Sequence, residues 1–396
     1  MNFQNPTPFQ MHATRVSMDD ARLLTYYDFA AQNETPPYLE LHRDAAMQHP
    51  AGAGRVLANP PEIRWNPLLS EWTVYAASRM SRPMLPSKDA CPLCPGVLEL
   101  PLPYQIAIFE NRAPSMARVP NAPLPPLFST SDASTRDQLF DAQLPASGQC
   151  DLVVYAQQHE AKLAAMPVEN IACLVEAWRA RYAEIIARDD IRFASIFENK
   201  GRDAGMTLDH PHGQIYAFPF LPPQIQSHYD ATMRTGGEVW RRVLAREEND
   251  GTRLIAQTPG FLAAVPYYAR YPYEVHIWAR RDGVSSLLEM TPQERRELAA
   301  MMKNIVSRYE NLWPDNAFGF PTLMLMQQMS KLPGSENYRF HIEYLPLQRS
   351  ADKLKFRASI ESGTGTFLND ALPETQAAQL REAAPQDVVL PNLVFN

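Results

Sequence analysis

The sequence predicts an α+β fold built from a duplicated unit. Residues 167–188 carry apolar side chains at three- and four-residue spacing, and residues 291–312 open with a helix-capping sequence, so both segments are expected to form long helices. Two short segments of β-branched and aromatic residues follow each helix, as expected for paired strands. The two helices start about 125 residues apart, which suits a duplicated domain better than a solenoid with a period of roughly 20 to 50 residues.

The first unit is preceded by a segment of different character. Residues 1–63 are rich in proline and polar side chains, with one short periodic piece at 19–31, so we interpret them as an N-terminal extension packed on the main body. The helix at 167–188 places Ile171, Trp178 and Ile185 on one apolar face. The strand candidates of this unit are residues 71–76, 105–109, 151–156, 191–198 and 214–218.

The second unit follows a proline-rich stretch at 218–223. Thr291 and Glu294 have the spacing of a capping box, and Pro292 would occupy the first helical position. The strand candidates of the second unit are residues 273–279, 321–327 and 339–345. The predicted organisation is therefore an extension (1–63), an N-terminal unit (64–223) and a C-terminal unit (224–396).

The composition excludes several classes of protein. With 45% hydrophobic and 20% charged residues, the chain of 396 residues can bury a core, which excludes global disorder. A net charge of −7 excludes a basic nucleic-acid scaffold. No apolar run approaches the roughly 18 to 20 residues of a membrane helix, and the N-terminus lacks the pattern of a secretory signal. We expect a cytoplasmic protein with neither nucleic acid nor a membrane as a partner.

Closely spaced histidines form the strongest local motif. His210, His212 and Gln214 alternate with single residues, and in an extended backbone residues two apart face the same side. An imidazole can attack phosphorus and hold a nucleotidyl group, provided that an acceptor holds its other nitrogen. Gly213 would let a phosphate approach the backbone closely. The same spacing also suits a pair of metal ligands or a buried structural pair, and spacing alone does not separate these interpretations.

Cys91 and Cys94 form a CxxC pair, which supplies half of a tetrahedral zinc site. His159 and His210 are the available partners for the other half. A thioredoxin-like site is disfavoured because a Pro-Gly pair follows the motif instead of a helix, and two plain loop thiols are the remaining alternative. The other two of the four cysteines are interpreted as ordinary buried thiols.

Polar residues near strand ends are further candidates. Asn111 and Asn199 each follow a strand candidate and could bind a phosphate or a base, although most such positions are only turns. Arg79 and Arg82 could clamp an anionic substrate, although an arginine pair after a strand also suits a solvated edge.

Taken together, these motifs resemble those of the galactose-1-phosphate uridylyltransferase family, a branch of the histidine triad superfamily. The resemblance covers residues 64–370 and is most specific in FENKG at 197–201 followed by HPHGQ at 210–214. Supporting motifs are RWNPL at 64–68, CPLC at 91–94, and Lys355 and Phe356 with Glu361. The resemblance implies a duplicated histidine-triad-like unit with an antiparallel half-barrel sheet flanked by helices, and a homodimer.

The resemblance also implies an activity and its residues. The family moves UMP from UDP-glucose to galactose 1-phosphate through a uridylyl-histidine, which makes His212 the expected nucleophile and Gln214 the residue that binds the transferred phosphoryl group. It implies a structural zinc ion held by Cys91, Cys94, His159 and His210. It implies substrate contacts from Arg79, Arg82, Asn111, Asn199, Thr207, Lys355, Phe356 and Glu361.

The chain departs from the family pattern in three places. Thr207 and the two residues after it replace the usual residues before the histidine strand. The family's second metal site is altered here: His228, His341 and Glu343 could still bind iron or zinc, but a glutamine stands where the family has another histidine, so the ligand types are shuffled. No counterpart is apparent for a family glutamine that contacts the sugar. We also predict that residues 341–343 take the place of residues 210–212, with Glu343 at the position of the nucleophile, so that only the first unit is catalytic.

Other activities are compatible with the same motifs. A related nucleotidyltransferase or phosphorylase could use another nucleotide, or a hexosamine 1-phosphate as acceptor, with the same histidine chemistry. A noncatalytic, zinc-stabilised nucleotide-binding module would bind ligand without forming an adduct. A hydrolase would let water reach the intermediate, and the sequence does not show whether water is excluded.

Overall fold

The structure, a computed structural model, describes residues 9–81, 91–127, 133–386, 388 and 390. Its mixture of helices and antiparallel strands confirms the α+β class. The helices are α1 (Leu39–Gln48), α2 (Ala133–Gln138), α3 (Val168–Ile186), α4 (Pro223–Thr235), α5 (Glu238–Asp250), α6 (Pro292–Leu312), α7 (Ser359–Thr364) and α8 (Pro373–Glu382).

Most strands belong to one open antiparallel sheet. The strands are β1 (Phe9–Ser17), β2 (Leu23–Ala31), β3 (Glu62–Asn66), β4 (Glu71–Tyr75), β5 (Ile106–Glu110), β6 (Gln143–Pro145), β7 (Gln149–Val154), β8 (Phe193–Lys200), β9 (His212–Phe218), β10 (Leu254–Gln257), β11 (Phe261–Ala264), β12 (Val275–Ala279), β13 (Thr322–Gln327), β14 (His341–Pro346), β15 (Gln348–Ser350) and β16 (Lys353–Leu354). The order in the large sheet is β1-β2-β5-β7-β9-β8-β13-β14-β12-β11-β10.

The duplication is visible in this strand order. Read outward from the centre, the first half runs β8-β9-β7-β5-β2 and the second runs β13-β14-β12-β11-β10. The halves join where β8 pairs with β13, so one sheet runs through both units. In each half the long helix, α3 or α6, precedes the two strands nearest the centre.

The N-terminal segment adds to this sheet. Strands β1 and β2 form a hairpin, and β2 pairs with β5. The polar sequence of β1 did not predict a strand, but an edge strand pairs on one side only and keeps much of its surface in water. The segment therefore extends the first half outward by two strands.

Helices α3 and α6 cover one face of the large sheet, which we call the helix face. Trp178 of α3, Leu298 of α6, and Ile215 and Ile342 of the sheet share one buried core there. The opposite face, which we call the outer face, packs the loop that carries Cys91 against β2, β5 and β7.

The helix boundaries follow the local chemistry of the sequence. Helix α6 starts at the predicted capping box, where the Thr291 hydroxyl accepts from the backbone N–H of Glu294 and the Glu294 carboxylate accepts from the backbone N–H of Thr291. Among the described residues, no helix combines the length and apolar character that crossing a membrane requires.

Candidate active site

Successive residues of strand β9 point to opposite faces of the large sheet. Gly213 and Ile215 point to the helix face, where Ile215 lies in the core. His212 and Gln214 therefore point to the outer face, because side chains alternate along a strand. In the sheet, His212 lies beside Val154 of β7 and Gln214 beside Phe197 of β8. His212 and Gln214 thus share one face, as the two-residue spacing predicted, whereas His210 precedes β9 and its ring lies with Cys91, Cys94 and His159.

The imidazole of His212 is held in one orientation. Its Nδ1 lies 2.7 Å from the carbonyl oxygen of His210. Because a carbonyl oxygen can only accept, Nδ1 carries the proton and the lone pair is on Nε2. The side chain is nine-tenths buried, with 9% exposed. This is the protonation pattern that a nucleophilic histidine requires at neutral pH.

A cavity of about 480 Å³ opens at the ends of β8 and β9. Pockets of this size hold small organic ligands. The cavity brings His212 together with Asn199, one of the predicted substrate contacts. Other residues that line it are Tyr155, His159, Glu198, Lys200, Met206, Asp209, Tyr309 and Tyr344.

The two cysteines and two histidines predicted as metal ligands lie together. The ligand atoms of Cys91, Cys94, His159 and His210 all lie within 4.8 Å of one another. The Cys94 Sγ atom is 3.6 Å from Nδ1 of both His159 and His210, and the Cys91 Sγ atom is 3.9 Å from Nδ1 of His210. Two thiols and two imidazoles at this spacing suit a tetrahedral metal ion.

The second nitrogen of His210 supports this arrangement. The Nε2 atom is 2.7 Å from the carbonyl oxygen of Ala156, so Nε2 carries the proton and the lone pair of Nδ1 faces the thiols. The Tyr104 hydroxyl donates to the Leu93 carbonyl oxygen of the cysteine loop at 2.7 Å. Burial lowers the pKa of His210, which keeps the ring neutral and able to bind a metal.

The remaining cysteines lie outside this cluster. Burial raises the pKa values of Cys150 and Cys173 to about 12, so both thiols stay protonated and unreactive near neutral pH. These raised pKa values agree with the interpretation of Cys150 and Cys173 as ordinary thiols.

Arg79 and Asn111 both form a hydrogen bond with the backbone of Ala113, at a second place on the outer face. Arg79 donates to the Ala113 carbonyl oxygen at 3.0 Å and to the Tyr216 hydroxyl at 3.3 Å, and the Asn111 side chain accepts from the Ala113 N–H at 2.9 Å. Tyr216 lies two residues beyond Gln214 on β9, which places this pair beside the same strand. Arg82 lies outside the described residues.

The other predicted substrate contacts lie in two places, one near the cavity and one away from it. Thr207 lies in the segment between β8 and β9, whose neighbouring residue Met206 lines the cavity. Lys355 and Glu361 form a buried ion pair at 2.6 Å, and hydrogen bonds from Lys355 and the backbone lower the pKa of Glu361 to about 2. Phe356 is 67% exposed. The last three residues do not line the cavity that contains His212.

The second half has a histidine at the position of the nucleophile, contrary to the prediction. His341 lies beside Trp278 of β12 as His212 lies beside Val154 of β7, and its Nδ1 is 2.9 Å from the Arg339 carbonyl oxygen. Glu343 therefore corresponds to Gln214. The prediction was wrong because two motifs with identical two-residue spacing can be aligned in either register, and only the pairing with neighbouring strands decides between them.

The candidate second metal ligands lie close together, with His341 and Glu343 buried and His228 half-buried. His341 Nε2 is 3.5 Å from a Glu343 carboxylate oxygen, and the His228 and His341 rings are 5.7 Å apart. Burial alone would raise the pKa of Glu343, but the hydrogen bond from His341 and the nearby imidazoles lower it. In the described ranges, the Cys91 group is the one set of three or more such side chains whose ligand atoms lie close enough together to share a metal ion.

Three residues near these sites were not predicted from the sequence. His276 joins the buried histidine network, 6.0 Å from the ring of His341. Its position in a strand candidate was a signal, because it alternates with Glu274 and Trp278. Tyr155 and Glu198 line the cavity, but no local pattern in the sequence relates these two residues.

Comparison with known proteins gives one consistent family. The family model of the galactose-1-phosphate uridyl transferase N-terminal domain matches residues 55–222, and the model of the C-terminal domain of the same family matches residues 223–390. Galactose-1-phosphate uridylyltransferase of Thermotoga maritima is 40% identical over 324 residues, covering 81% of this chain and 98% of that protein. The protein of the same name from Streptomyces lividans is 30% identical over 393 residues, covering 94% and 98%. A solved uridylyltransferase structure has a TM-score of 0.67 at 29% identity, covering 81% and 98%.

The carboxyl group of Glu198 predicts a pH-dependent stability. Burial raises its pKa to about 7, although Lys200 opposes the shift. The folded state therefore holds this proton more tightly than the unfolded chain, so stability falls as pH rises from about 4.5 to 7. We expect Glu198→Gln to remove that slope and to stabilise the protein by up to about 3 kcal/mol at pH 8. Denaturant unfolding at pH 5 and pH 8 checks this, and equal effects at both pH values would contradict it.

Proposed function

Because the chain belongs to the galactose-1-phosphate uridylyltransferase family, we propose that it transfers UMP from UDP-glucose to galactose 1-phosphate through a covalent uridylyl group on His212. The observation that carries this proposal is the orientation of the His212 imidazole. Its Nδ1 proton is donated to the His210 carbonyl oxygen at 2.7 Å, which leaves Nε2 as the basic nitrogen of a residue that lines a cavity of about 480 Å³.

Two displacements at one phosphorus atom complete the reaction. In the first, the Nε2 lone pair attacks the α-phosphorus of UDP-glucose, a P–N bond forms, and the P–O bond to glucose 1-phosphate breaks with its electrons leaving on that oxygen. In the second, a phosphate oxygen of galactose 1-phosphate attacks the same phosphorus and the P–N bond breaks. The electron pair returns to Nε2, and UDP-galactose is released.

The surrounding polar groups have distinct proposed roles. Gln214, on the same strand face as His212, donates amide N–H groups to the phosphoryl oxygens on which negative charge increases. Asn199, in the same cavity, and Thr207 bind the phosphates from the segment between β8 and β9. Arg79, Asn111 and Arg82 bind the nucleotide end, and the contacts of Arg79 and Asn111 to Ala113 hold the described part of this site together.

A zinc ion is proposed at Cys91, Cys94, His159 and His210, and the donor set fits it. When bound, such an ion has four protein ligands and no open position, so it supplies a fixed crosslink and no Lewis-acid chemistry. His210 would connect this crosslink to the nucleophile, because its carbonyl oxygen accepts from His212. The metal would thereby hold the beginning of β9.

We also propose a homodimer in which the segment containing Lys355, Phe356 and Glu361 contacts the hexose bound to the partner subunit. The separation of this segment from the cavity of its own chain supports the proposal. The buried Lys355–Glu361 ion pair gives the segment a defined shape, and Phe356 remains exposed for contact with another surface.

The adduct provides a direct test of the proposed function. Purified protein incubated with UDP-glucose should gain the mass of one uridylyl group, and galactose 1-phosphate should remove it. His212→Ala should form no adduct and lose transfer by at least about 10⁴-fold, because no other group replaces the attacking nitrogen. His49→Ala, at an exposed histidine, is the matched control and should behave like the wild type.

Parallel incubations separate the alternatives. An adduct formed only from ADP-glucose, or one that galactose 1-phosphate fails to discharge, would retain the histidine mechanism but assign a different substrate pair. Ligand binding with no adduct would favour a binding module. Spontaneous loss of the adduct in water, at the rate of turnover, would indicate a hydrolase.

Loss of a metal ligand should affect stability and metal content together. Cys91→Ser replaces a thiolate ligand by a weakly bound hydroxyl, so zinc content should fall and the thermal midpoint should decrease by roughly 5 °C or more. Cys173→Ser changes a thiol outside the cluster and should retain full zinc content. Unchanged metal content in Cys91→Ser would contradict the zinc assignment.

The possible second metal site at His228, His341 and Glu343 stays a prediction. Elemental analysis of the wild-type protein shows whether the chain binds one metal ion or two. One metal ion per chain would assign the whole metal content to the Cys/His cluster. A second ion, lost in Glu343→Gln but retained in Cys91→Ser, would support the second site.

Subunit complementation tests the contribution of Phe356. Phe356→Ala should reduce kcat/KM by about tenfold, because the side chain would pack on the hexose. Co-expressed with His212→Ala, it should give about a quarter of wild-type activity, because half of randomly paired chains are mixed dimers with one complete site. Activity no higher than the average of the two variants would contradict a shared site.

A further inference from the structure

Gly213 lies between His212 and Gln214, and Tyr155 occupies the space where a side chain would be. A Cβ atom built on Gly213 would lie 2.2 Å from the Tyr155 hydroxyl oxygen and 3.0 Å from the Phe197 carbonyl oxygen. The first distance is far below van der Waals contact. The phenol of Tyr155 therefore rests directly on the backbone of β9, on the face opposite the nucleophile.

Tyr155 also connects three adjacent strands. Its backbone N–H, at the end of β7, donates to the Pro211 carbonyl oxygen at 3.4 Å. Its side chain crosses Gly213 of β9, and its hydroxyl donates to a Glu198 carboxylate oxygen of β8 at 3.3 Å. Since β7, β9 and β8 are neighbours in that order, this single side chain spans the strand that carries the nucleophile.

The surroundings hold this contact in place. Tyr155 is 2% exposed, and its ring makes an edge-on contact with Trp178 at 5.9 Å. Lys200, the nearest cation to Glu198 along β8, is bonded to Glu310 of α6 at 3.3 Å. The Tyr155 hydroxyl thus provides Glu198 with a neutral hydrogen-bond donor. Burial raises the pKa of Tyr155 well above its usual value, so the phenol retains its proton.

The residues next to this contact in the sequence are those proposed to bind or attack the phosphate. Gly213 is flanked by His212 and Gln214, and Glu198 is followed by Asn199. Because alternate residues of a strand face opposite sides, a shift of Gly213 or Glu198 on the helix face moves these three side chains on the outer face. Attack on phosphorus requires the nucleophile to be placed within about 0.5 Å of its reactive position.

We propose that Tyr155 and Glu198 are positioning residues for the transfer, and that their hydrogen bond across Gly213 sets the position of the His212 imidazole relative to Gln214 and Asn199. This role rests on the proposed uridylyl transfer at His212. Both residues line the cavity that also contains His212, but the role proposed here is to hold β9 from the helix face and not to bind the transferred phosphoryl group. A positioning role of this kind changes the rate of the chemical step more than it changes substrate binding.

Single-turnover kinetics measure this effect. The rate constant for adduct formation at saturating UDP-glucose should fall about tenfold in Tyr155→Phe, which keeps the ring but loses the hydroxyl. The UDP-glucose concentration at half-maximal rate should change less than threefold. The rate constant of Glu198→Ala should fall by a similar factor. The rate constant of Glu198→Gln, whose amide oxygen still accepts from the phenol, should stay within threefold of the wild-type value.

Two comparisons separate positioning from simple stability. Tyr155→Phe combined with Glu198→Ala should be no slower than either single variant, because both remove the same hydrogen bond. Tyr182→Phe removes another buried tyrosine hydroxyl in the same core, one that bonds Ser330 at 2.9 Å, and should retain the wild-type rate. All rates are taken per folded protein, with folding checked by circular dichroism.

The outcomes also distinguish this proposal from the proposed function. If the wild type forms no adduct, the uridylyl transfer itself is wrong. If the wild type forms the adduct but Tyr155→Phe matches its rate within twofold, the positioning role is wrong while the transfer stands. A loss in Tyr182→Phe equal to that in Tyr155→Phe, or a Glu198→Gln variant as slow as Glu198→Ala, would likewise overturn the positioning role.

Discussion

The hydrogen bond between His212 Nδ1 and the His210 carbonyl oxygen is the interaction on which the proposed chemistry depends. An acceptor at Nδ1 fixes the tautomer and the plane of the ring, so Nε2 is the basic nitrogen. The residue that supplies this carbonyl also supplies an imidazole to the Cys/His cluster. One ligand of the cluster, His210, therefore lies two residues before the nucleophile, just outside β9, and a displacement of the cluster changes the position of the His212 ring.

The second half of the chain shows that this hydrogen bond is not sufficient. His341 forms the same Nδ1 contact with a carbonyl oxygen at 2.9 Å, at the equivalent place in the sheet. Its side chain is 1% exposed, and Glu343 lies where the first half has Gln214. We propose that His341 does not receive an anionic phosphate, because its imidazole is closed off by burial and the neighbouring carboxylate repels a negative charge. Duplication thus preserved the backbone geometry while burial and charge changed what each histidine can do.

Local signals in the sequence predicted the parts of the structure that depend on neighbouring residues. The start of α6 followed from Thr291 and Glu294, and the metal cluster followed from the CxxC pair with two candidate histidines. The register of His341 could not be predicted, because it depends on pairing with a strand more than sixty residues earlier. The contact between Tyr155 and Glu198 depends on strand order as well. Interactions that depend on pairing between strands distant in the sequence could be identified only from the structure.

The central claim is that Nε2 of His212, and not Nδ1, carries the uridylyl group. Phosphorus–nitrogen correlation by NMR on the nitrogen-15-labelled adduct, prepared with UDP-glucose and kept folded, measures this directly. The account predicts phosphorus coupled to Nε2 of His212, with Nδ1 still protonated. Coupling to Nδ1 would contradict the proposed hydrogen bond as the determinant of the nucleophile, and coupling to another residue would contradict the assignment of His212.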